Sequence, residues 1–337
     1  ATTAAGNVAI GYQAMSSGVQ GDYSVAVGQN ALYTNTGDSN TAVGENALFA
    51  NTSGTNNTAI GRGALDVNTT GSSNVAIGVG SLDANNANSN TAVGNSSLGS
   101  NTTGAYNVAL GQNAGLANTT GANNVAVGYN ALDANTTASD NTAVGYSALT
   151  TNTTGTYNTA LGRSALATAE TASNNTAVGY GSLTANTTGT TNTAVGDNSL
   201  GSNTTGDQNT AVGSSALVAN TTADNNTAVG FQAMYTTTTG TANAALGTYA
   251  LDANTTGDSN TAIGYGTLSA AQTASNNTAV GRNALLADTS GHSNVAVGAY
   301  ALDANTSGNG NVAAGYAALG ANTTADGNTA FGHETLL

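Results

Sequence analysis

The side chains that could perform acid–base or nucleophilic chemistry are few in this chain of 337 residues. The two histidines, His292 and His333, stand in variable or loop positions, and neither has a plausible catalytic partner nearby in sequence. Cysteine is absent, which excludes thiol catalysis and a disulfide scaffold. Cleavage of a glycosidic bond needs two carboxylates at a set separation, and no such pair stands out. We therefore predict a protein that is not an enzyme and that uses no cofactor.

The carboxylates are spread along the chain. Three glutamates are isolated, while five aspartates occupy the same position of a sequence repeat: Glu45, Glu170 and Glu334; Asp66, Asp83, Asp133, Asp252 and Asp303. Among these aspartates only Asp66 and Asp83 fall in consecutive repeats. A cation such as calcium needs several oxygen ligands around one point. We therefore predict no metal site.

The charge balance excludes several classes of partner. Seventeen acidic residues face three arginines and no lysine, so the net charge is −14. This charge would repel nucleic acid phosphates, and we predict no binding to DNA or RNA. Apolar stretches are only a few residues long, so we predict no membrane insertion within this segment.

The chain consists of one short phrase repeated throughout. Its fifth residue is a glycine that returns every 17 residues from Gly11 to Gly332, with a spacing of 16 in two places. Numbered from its asparagine, the consensus is Asn-Thr-Ala-Val-Gly at positions 1–5, Ala-Leu at positions 8 and 9 and Asn-Thr-Thr-Gly at positions 12–15. Such a strict period indicates stacked units and not a globular core. We predict a single continuous array over residues 1–337. It begins with Ala1 instead of Met and stops partway through a repeat, so we expect a mature product or a fragment cut from a longer fibre.

The spacing within one repeat predicts strands. Positions 2 to 4 alternate between β-branched or apolar residues and alanine, and a glycine in every repeat excludes helix. We place the Val, Ile or Leu of position 4 in the core. The constant alanine of position 3 is expected to pack against a close neighbour, which a second chain could supply. Positions 8 and 9 predict a second short strand with its leucine inward, and positions 12–15 predict the return turn.

The predicted fold class is therefore all-β: a parallel β-solenoid, or β-roll, of about twenty 17-residue coils, with like strands ~4.8 Å apart. Equal positions of successive coils should form ladders of stacked side chains, including amide ladders of buried asparagines. The structural ladder residues we single out are Asn40, Asn57, Asn124, Asn141, Gly128, Gly145, Ala126, Ala143, Val127, Val144, Leu132 and Leu149.

The phrase Asn-Thr-Ala-Val-Gly-x-x-Ala-Leu resembles the head repeats of YadA-like trimeric autotransporter adhesins, and related repeats of phage tail fibres. The resemblance covers essentially the full chain, through segments such as 124–128 and 294–298. It implies a left-handed parallel β-roll, association of three chains side by side, and projection from a cell or virion surface to bind host or matrix molecules. The family's repeat is typically shorter, and the Asn-Thr-Thr-Gly segment accounts for the added residues.

Three surface arrays suggest other functions. Asn-Thr-Thr or Asn-Thr-Ser triplets match the N-glycosylation signal, although turns favour these residues in any case. Possible glycosylation sites are Asn68, Asn101, Asn118, Asn152, Asn186, Asn203 and Asn254. The threonines could carry O-linked sugars or match an ice or mineral lattice. Tyrosines near position 6 could stack on sugars, but we expect only Tyr129 and Tyr146 to be stacked neighbours.

We therefore expect an extracellular structural fibre or adhesin, the shaft or head of a cell-surface appendage or virion fibre. Its expected partners are copies of itself, as a homotrimer or filament, and surface glycans or matrix. The alternative is an ice-, mineral- or glycan-binding solenoid that uses the Thr, Asn and Tyr arrays.

Overall fold

A computed structural model of the chain describes residues 5–17 and 19–336. It comprises two compact units, Ala1–Ala172 and Ser173–Leu337. Each unit is a parallel β-solenoid in which every coil contributes one strand of three residues. No helix occurs in the part of the chain that is described. The predicted fold class, an all-β solenoid with coils of about 17 residues, is confirmed.

The strands fall at positions 2–4 of every repeat. In the first unit they are β1 (Val8–Ile10), β2 (Val25–Val27), β3 (Thr41–Val43), β4 (Thr58–Ile60), β5 (Val75–Ile77), β6 (Thr91–Val93), β7 (Val108–Leu110), β8 (Val125–Val127), β9 (Thr142–Val144) and β10 (Thr159–Leu161). In the second unit they are β11 (Thr176–Val178), β12 (Thr193–Val195), β13 (Thr210–Val212), β14 (Thr227–Val229), β15 (Ala244–Leu246), β16 (Thr261–Ile263), β17 (Thr278–Val280), β18 (Val295–Val297), β19 (Val312–Ala314) and β20 (Thr329–Phe331).

Within each unit, every strand pairs in parallel and in register with the next. In the pair β8–β9, for example, Ala126 lies beside Ala143 and Val127 beside Val144. The register persists across the two shorter repeats, where Val25 pairs with Thr41 and Val75 with Thr91. The missing residue therefore falls outside the strands, which must stay aligned to keep their hydrogen bonds.

The core is formed by the alanine of position 3, which corrects the predicted orientation of the strand. Ala126 and Ala143 are buried, whereas Val127 and Val144 of position 4 are only half-buried. Successive side chains of a strand point to opposite faces, so the middle residue of three points inward alone. The interior of each coil also holds the alanine and leucine of positions 8 and 9, such as Leu132. An inward methyl group fits this narrow space, and the larger residues of positions 2 and 4 face outward.

The predicted second strand is wrong, although its leucine does point inward. Positions 6–11 form consecutive turns, with left-handed backbone at Asn130 (φ 51°) and Leu132 (φ 54°). This alternation turns successive N–H groups toward neighbouring coils: the Asn130 N–H donates to the carbonyl of Gln112 in the preceding coil, and the Leu132 N–H donates to the carbonyl of Ala148 in the following one. A bulky residue with positive φ is strained. Burial of the leucine and these bonds between coils offset that strain.

The glycine of position 5 is required by close approach of the backbone. Gly145 has φ 141°, and a Cβ placed there would overlap the carbonyl oxygen of Gly162 in the next coil. Gly128 meets Gly145 in the same way. The constant glycine therefore lets successive coils stack at the spacing that the strands set.

This contact predicts a sharp difference between two glycines. Replacing Gly145 with alanine should lower the free energy of unfolding by about 3 kcal/mol or more, because both the positive φ and the overlap penalise the methyl group. Gly63→Ala is the matched control, since Gly63 also has positive φ (64°) but meets nothing within 4 Å. It should cost about 1 kcal/mol. Urea unfolding midpoints measure both changes, and equal losses would contradict the stacking argument.

Candidate functional surface

The predicted chemical residues do not converge. Among residues 5–17 and 19–336, no group of three or more His, Cys, Asp or Glu could hold a metal ion. The His333 ring lies 3.8 Å from the Glu334 carboxylate, and both side chains are exposed. The exposed His292 ring lies 3.1 Å from the Ser290 carbonyl. Neither contact places a histidine ring beside a nucleophilic side chain.

The aspartates of position 10 are half-buried, except Asp83, which is exposed. Burial raises the pKa of Asp66, and the charge of neighbouring Asp83 raises it further. Burial also raises the pKa of Asp133, Asp252 and Asp303. One carboxylate oxygen of Asp133 and one of Asp252 are buried without a hydrogen-bond partner. The shifts therefore reflect mainly the loss of hydration, to which the charge of Asp83 adds at Asp66.

The asparagine of position 1 forms the first of two buried amide ladders. The side-chain oxygen of Asn124 accepts the backbone N–H of Asn141 at 3.0 Å, and its amide donates to the carbonyl of Ala138 at 2.9 Å. Asn40 and Asn57 repeat the first contact at 2.9 Å. Both bonds of the side chain run toward the following coil, while the backbone N–H of Asn124 donates to the side-chain oxygen of Asn107 in the preceding one. Buried backbone groups that would otherwise lack partners are satisfied in this way.

The asparagine of position 12 forms the second ladder, and its burial argues against the predicted N-glycosylation sites. The Asn118 amide donates to Asn101 at 2.7 Å and to the Gly121 carbonyl at 2.9 Å. The predicted acceptors all stand at this position and are buried: Asn68, Asn101, Asn118, Asn152, Asn186, Asn203 and Asn254. A sugar linked to the amide nitrogen would displace these hydrogen bonds and has no room inside the coil. The threonine that follows is also engaged, because the Thr119 hydroxyl donates to the carbonyl of Thr136.

A different set of triplets carries exposed asparagines. Asn-Asn-Thr occurs where position 17 is asparagine, and these side chains lie outside the solenoid: Asn56, Asn174, Asn225 and Asn276. The sequence contains these N-glycosylation triplets, but it does not show which of the two adjacent asparagines faces solvent. The coil geometry decides this, because position 17 precedes the inward-facing asparagine of position 1.

The second ladder is interrupted where position 12 is not asparagine. Thr237 stands in such a coil, and the side-chain oxygen of Asn220 in the preceding coil is buried without a partner. The following Asn254 amide reaches the Thr237 hydroxyl only at 3.5 Å. A buried acceptor without a donor is costly, so this coil is a weak point of the ladder.

Asp288 stands at position 12 in place of asparagine, and the sequence analysis did not single it out. One carboxylate oxygen accepts the Gly291 N–H at 2.7 Å, while the other is buried without a partner. In the next coil Asn305 donates to the Gly308 carbonyl from the equivalent place. Burial raises the pKa of Asp288 to about 6, against the lowering effect of its hydrogen bonds and of His292. A protonated carboxyl imitates the asparagine, because its O–H can donate where the amide would.

The outward side chains of strand positions 2 and 4, which we call the strand face, form an uncharged surface with threonine or valine at nearly every position 2 and aliphatic residues at nearly every position 4. None of the strands β1–β20, which lie within residues 5–17 and 19–336, carries a charged residue. At least a third of the side chain is exposed at several of these positions: Val43, Ile60, Ile77, Leu110 and Leu161 in the first unit; Val212, Leu246, Ile263, Val295 and Val297 in the second. Rows of exposed aliphatic residues mark interaction surfaces.

Aromatic residues form rows beyond the predicted pair. Tyr129 and Tyr146 do stack, with ring centroids 5.4 Å apart. The expectation that they are the only stacked neighbours is wrong, because rings at positions 6 and 7 also meet. We call the following residues of the second unit the aromatic row: Phe231, Tyr249, Tyr265, Arg282, Tyr300, Tyr316 and His333.

Comparisons with known proteins return no matching family model and no matching curated sequence. In residues 5–17 and 19–336, no helix has the length and hydropathy needed to cross a membrane. The features of this chain that bear on function are the solenoid and two of its surfaces, the strand face and the aromatic row.

The break at Thr237 predicts a stabilising substitution. Thr237→Asn should raise the free energy of unfolding by about 1 kcal/mol, because the new amide can donate to Asn220 and its oxygen can accept from Asn254. The reciprocal variant, Asn203→Thr, removes such a link and should destabilise. Thermal or urea unfolding measures both. The ladder argument fails if the two variants shift stability in the same direction.

Asp288 predicts a pH-dependent loss of stability. Its pKa in the folded chain, about 6, exceeds its ordinary value of 3.8. The folded state therefore binds the proton more tightly, and this contribution is complete below about pH 4 and lost as the pH rises through about 6. Asp288→Asn should be more stable than the wild type by about 2–3 kcal/mol at pH 7.5.

Urea unfolding at pH 4, 5.5 and 7.5 measures this effect. The difference between the two proteins isolates Asp288, because every other carboxylate is common to both. The advantage of Asp288→Asn should grow with pH. A difference that stays constant from pH 4 to pH 7.5 would exclude a protonated Asp288 in the folded chain.

Proposed function

We propose that this chain is a non-enzymatic structural segment of an extracellular fibre or adhesin, and that it associates side by side with copies of itself through the strand face. The observation that carries this proposal is the uncharged face of the strands, with its exposed aliphatic residues at position 4. In a protein with a net charge of −14, a strand face without a single charge in either unit favours contact with another uncharged, aliphatic surface.

The shape and content of the strand face favour a second copy as its partner. A shallow depression on it is lined by Thr227, Val229, Leu246 and Ile263, among others. The face repeats with the period of the coil, so a partner with the same period can match every step. A second copy of the chain has that period by construction. The resemblance to YadA-like heads sets three as the expected number of chains.

The solenoid suits a mechanical role. In each unit the strands, the turns and both asparagine ladders join successive coils, and the chain has no cysteine that a reducing agent could affect. With no lysine and three arginines, it also offers few sites to proteases that cleave after basic residues. Both properties support a stiff segment exposed outside the cell, such as the shaft or head of an appendage.

The proposal predicts an oligomer that charges on the strand face dissociate. Sedimentation or light scattering of the wild type should give about three times the mass of one chain. Replacing Ile60, Ile77 and Leu110 together with lysine should give single chains that remain folded, because a buried unpaired charge is costly at an interface.

The control replaces Val67 and Val79 with lysine. Their side chains are at least as exposed, but they lie outside the strands. This variant should keep the mass of the wild type. A wild type that remains a single chain at high concentration would refute self-association, as would a strand-face variant with unchanged mass.

A further inference from the structure

The aromatic row extends through seven consecutive coils of the second unit. Each coil from the glycine at 230 to that at 332 contributes one ring or guanidinium at position 6 or 7. Five of these residues stand at position 6, and Tyr249 and Tyr300 stand at position 7. A comparison of the repeats at one position alone therefore does not show the row. The coil geometry brings the two positions together.

The side chains of the row touch one another in two groups, Phe231 to Tyr265 and Arg282 to His333. The Tyr249 ring lies 5.6 Å from Phe231 and 6.0 Å from Tyr265, edge to face in both cases. Tyr316 meets Tyr300 at 5.9 Å and stacks on His333 at 5.0 Å. The Arg282 guanidinium lies over the Tyr300 ring at 5.8 Å. These contacts fix the orientation of long side chains and reduce the entropy that a ligand must remove.

The row is open to solvent. Phe231, Tyr265 and Tyr316 expose 43%, 53% and 48% of their surface. At positions 6 and 7 of these seven coils there are two charged residues, Arg282 and, in the last coil, Glu334. Partly exposed amide and hydroxyl groups stand at the same positions, including Gln232, Thr248 and Asn283.

We propose that the aromatic row binds an uncharged, linear, β-linked polysaccharide. Ring faces carry partial negative charge, and the C–H faces of sugar rings carry the complementary partial positive charge. Neighbouring amides and hydroxyls can bond to the sugar hydroxyls. A polymer with a repeating flat unit can contact the row residues of several coils at once. The first contact raises the effective concentration of the next sugar unit, so several weak contacts together give a useful affinity.

Charge selects among polymers. The net charge of −14 repels anionic polysaccharides and nucleic acids at long range, and one arginine does not offset it. The proposal is separate from self-association, because the row lies at positions 6 and 7, beyond the glycine bend that ends the strand. Either proposal can therefore fail without the other.

Native affinity electrophoresis tests the proposal, since the acidic chain migrates without added charge. Gels contain hydroxyethylcellulose or glucomannan as uncharged β-linked probes, carboxymethylcellulose as the charged counterpart, or dextran as a flexible uncharged control. The wild type should be retarded by the first two and not by carboxymethylcellulose or dextran. The strand-face lysine variant should be retarded equally.

The test variant replaces Tyr249, Tyr265 and Tyr316 with asparagine, which occupies positions 6 and 7 in other coils, as at Asn95 and Asn46. Retardation by the β-linked probes should weaken at least tenfold. The control replaces Tyr106 and Tyr157 with asparagine; these tyrosines are exposed but lie outside any row. It should stay within twofold of the wild type. Circular dichroism and melting curves verify that both variants fold.

Several results would overturn the proposal. They are no retardation by either β-linked probe, equal retardation of the triple variant, or preference for carboxymethylcellulose or dextran. Binding of a polyproline peptide by the row without any retention by polysaccharide would also overturn it, and would assign the row to a protein partner. If the triple variant unfolds, Tyr265→Asn alone must still weaken retardation measurably for the proposal to stand.

Discussion

Hydrogen bonding of the backbone between successive coils is the constraint on which the rest of the structure depends. A coil of 17 residues encloses too little apolar volume to bury polar groups that lack partners. The two asparagine ladders solve this problem from the inside, because one amide supplies both a donor and an acceptor. Asn124 joins the next coil through its oxygen and the Ala138 carbonyl through its nitrogen. At two places where the ladder changes residue, Thr237 and Asp288, a buried side-chain oxygen lacks a hydrogen-bond partner.

The narrow interior also determines the outer surface. The alanine methyl groups fill the interior of the coil on the inner side of each strand. The larger aliphatic residues therefore face outward, and side chains such as Ile60 and Leu110 remain exposed on a single chain. The strand face is thus a direct consequence of how the core is packed. Association with further copies is the simplest way to remove this surface from water, and it needs no change in the coil.

Specific recognition requires positions that are free to vary. The ladders and the glycine bend tolerate little substitution, because each coil rests on its neighbours. Positions 6 and 7 point away from these contacts, and there the repeats differ most. The aromatic row in the second unit uses this freedom: the solenoid repeats the same location at a regular step, and a change of residue type at that location creates a surface that spans several coils.

The sequence by itself determined the period, the parallel in-register strands, the inward leucine and the asparagine ladders, because each depends on a pattern repeated along the chain. Only the tertiary structure decided which side of the strand faces inward, since alternation gives a period of two but not its phase. It also decided that the segment around Leu132 is a left-handed turn, that Asn118 is buried while Asn56 is exposed, and that Tyr249 joins Tyr265 in one row. These features depend on the width of the coil and on contacts between coils, and no local pattern encodes either.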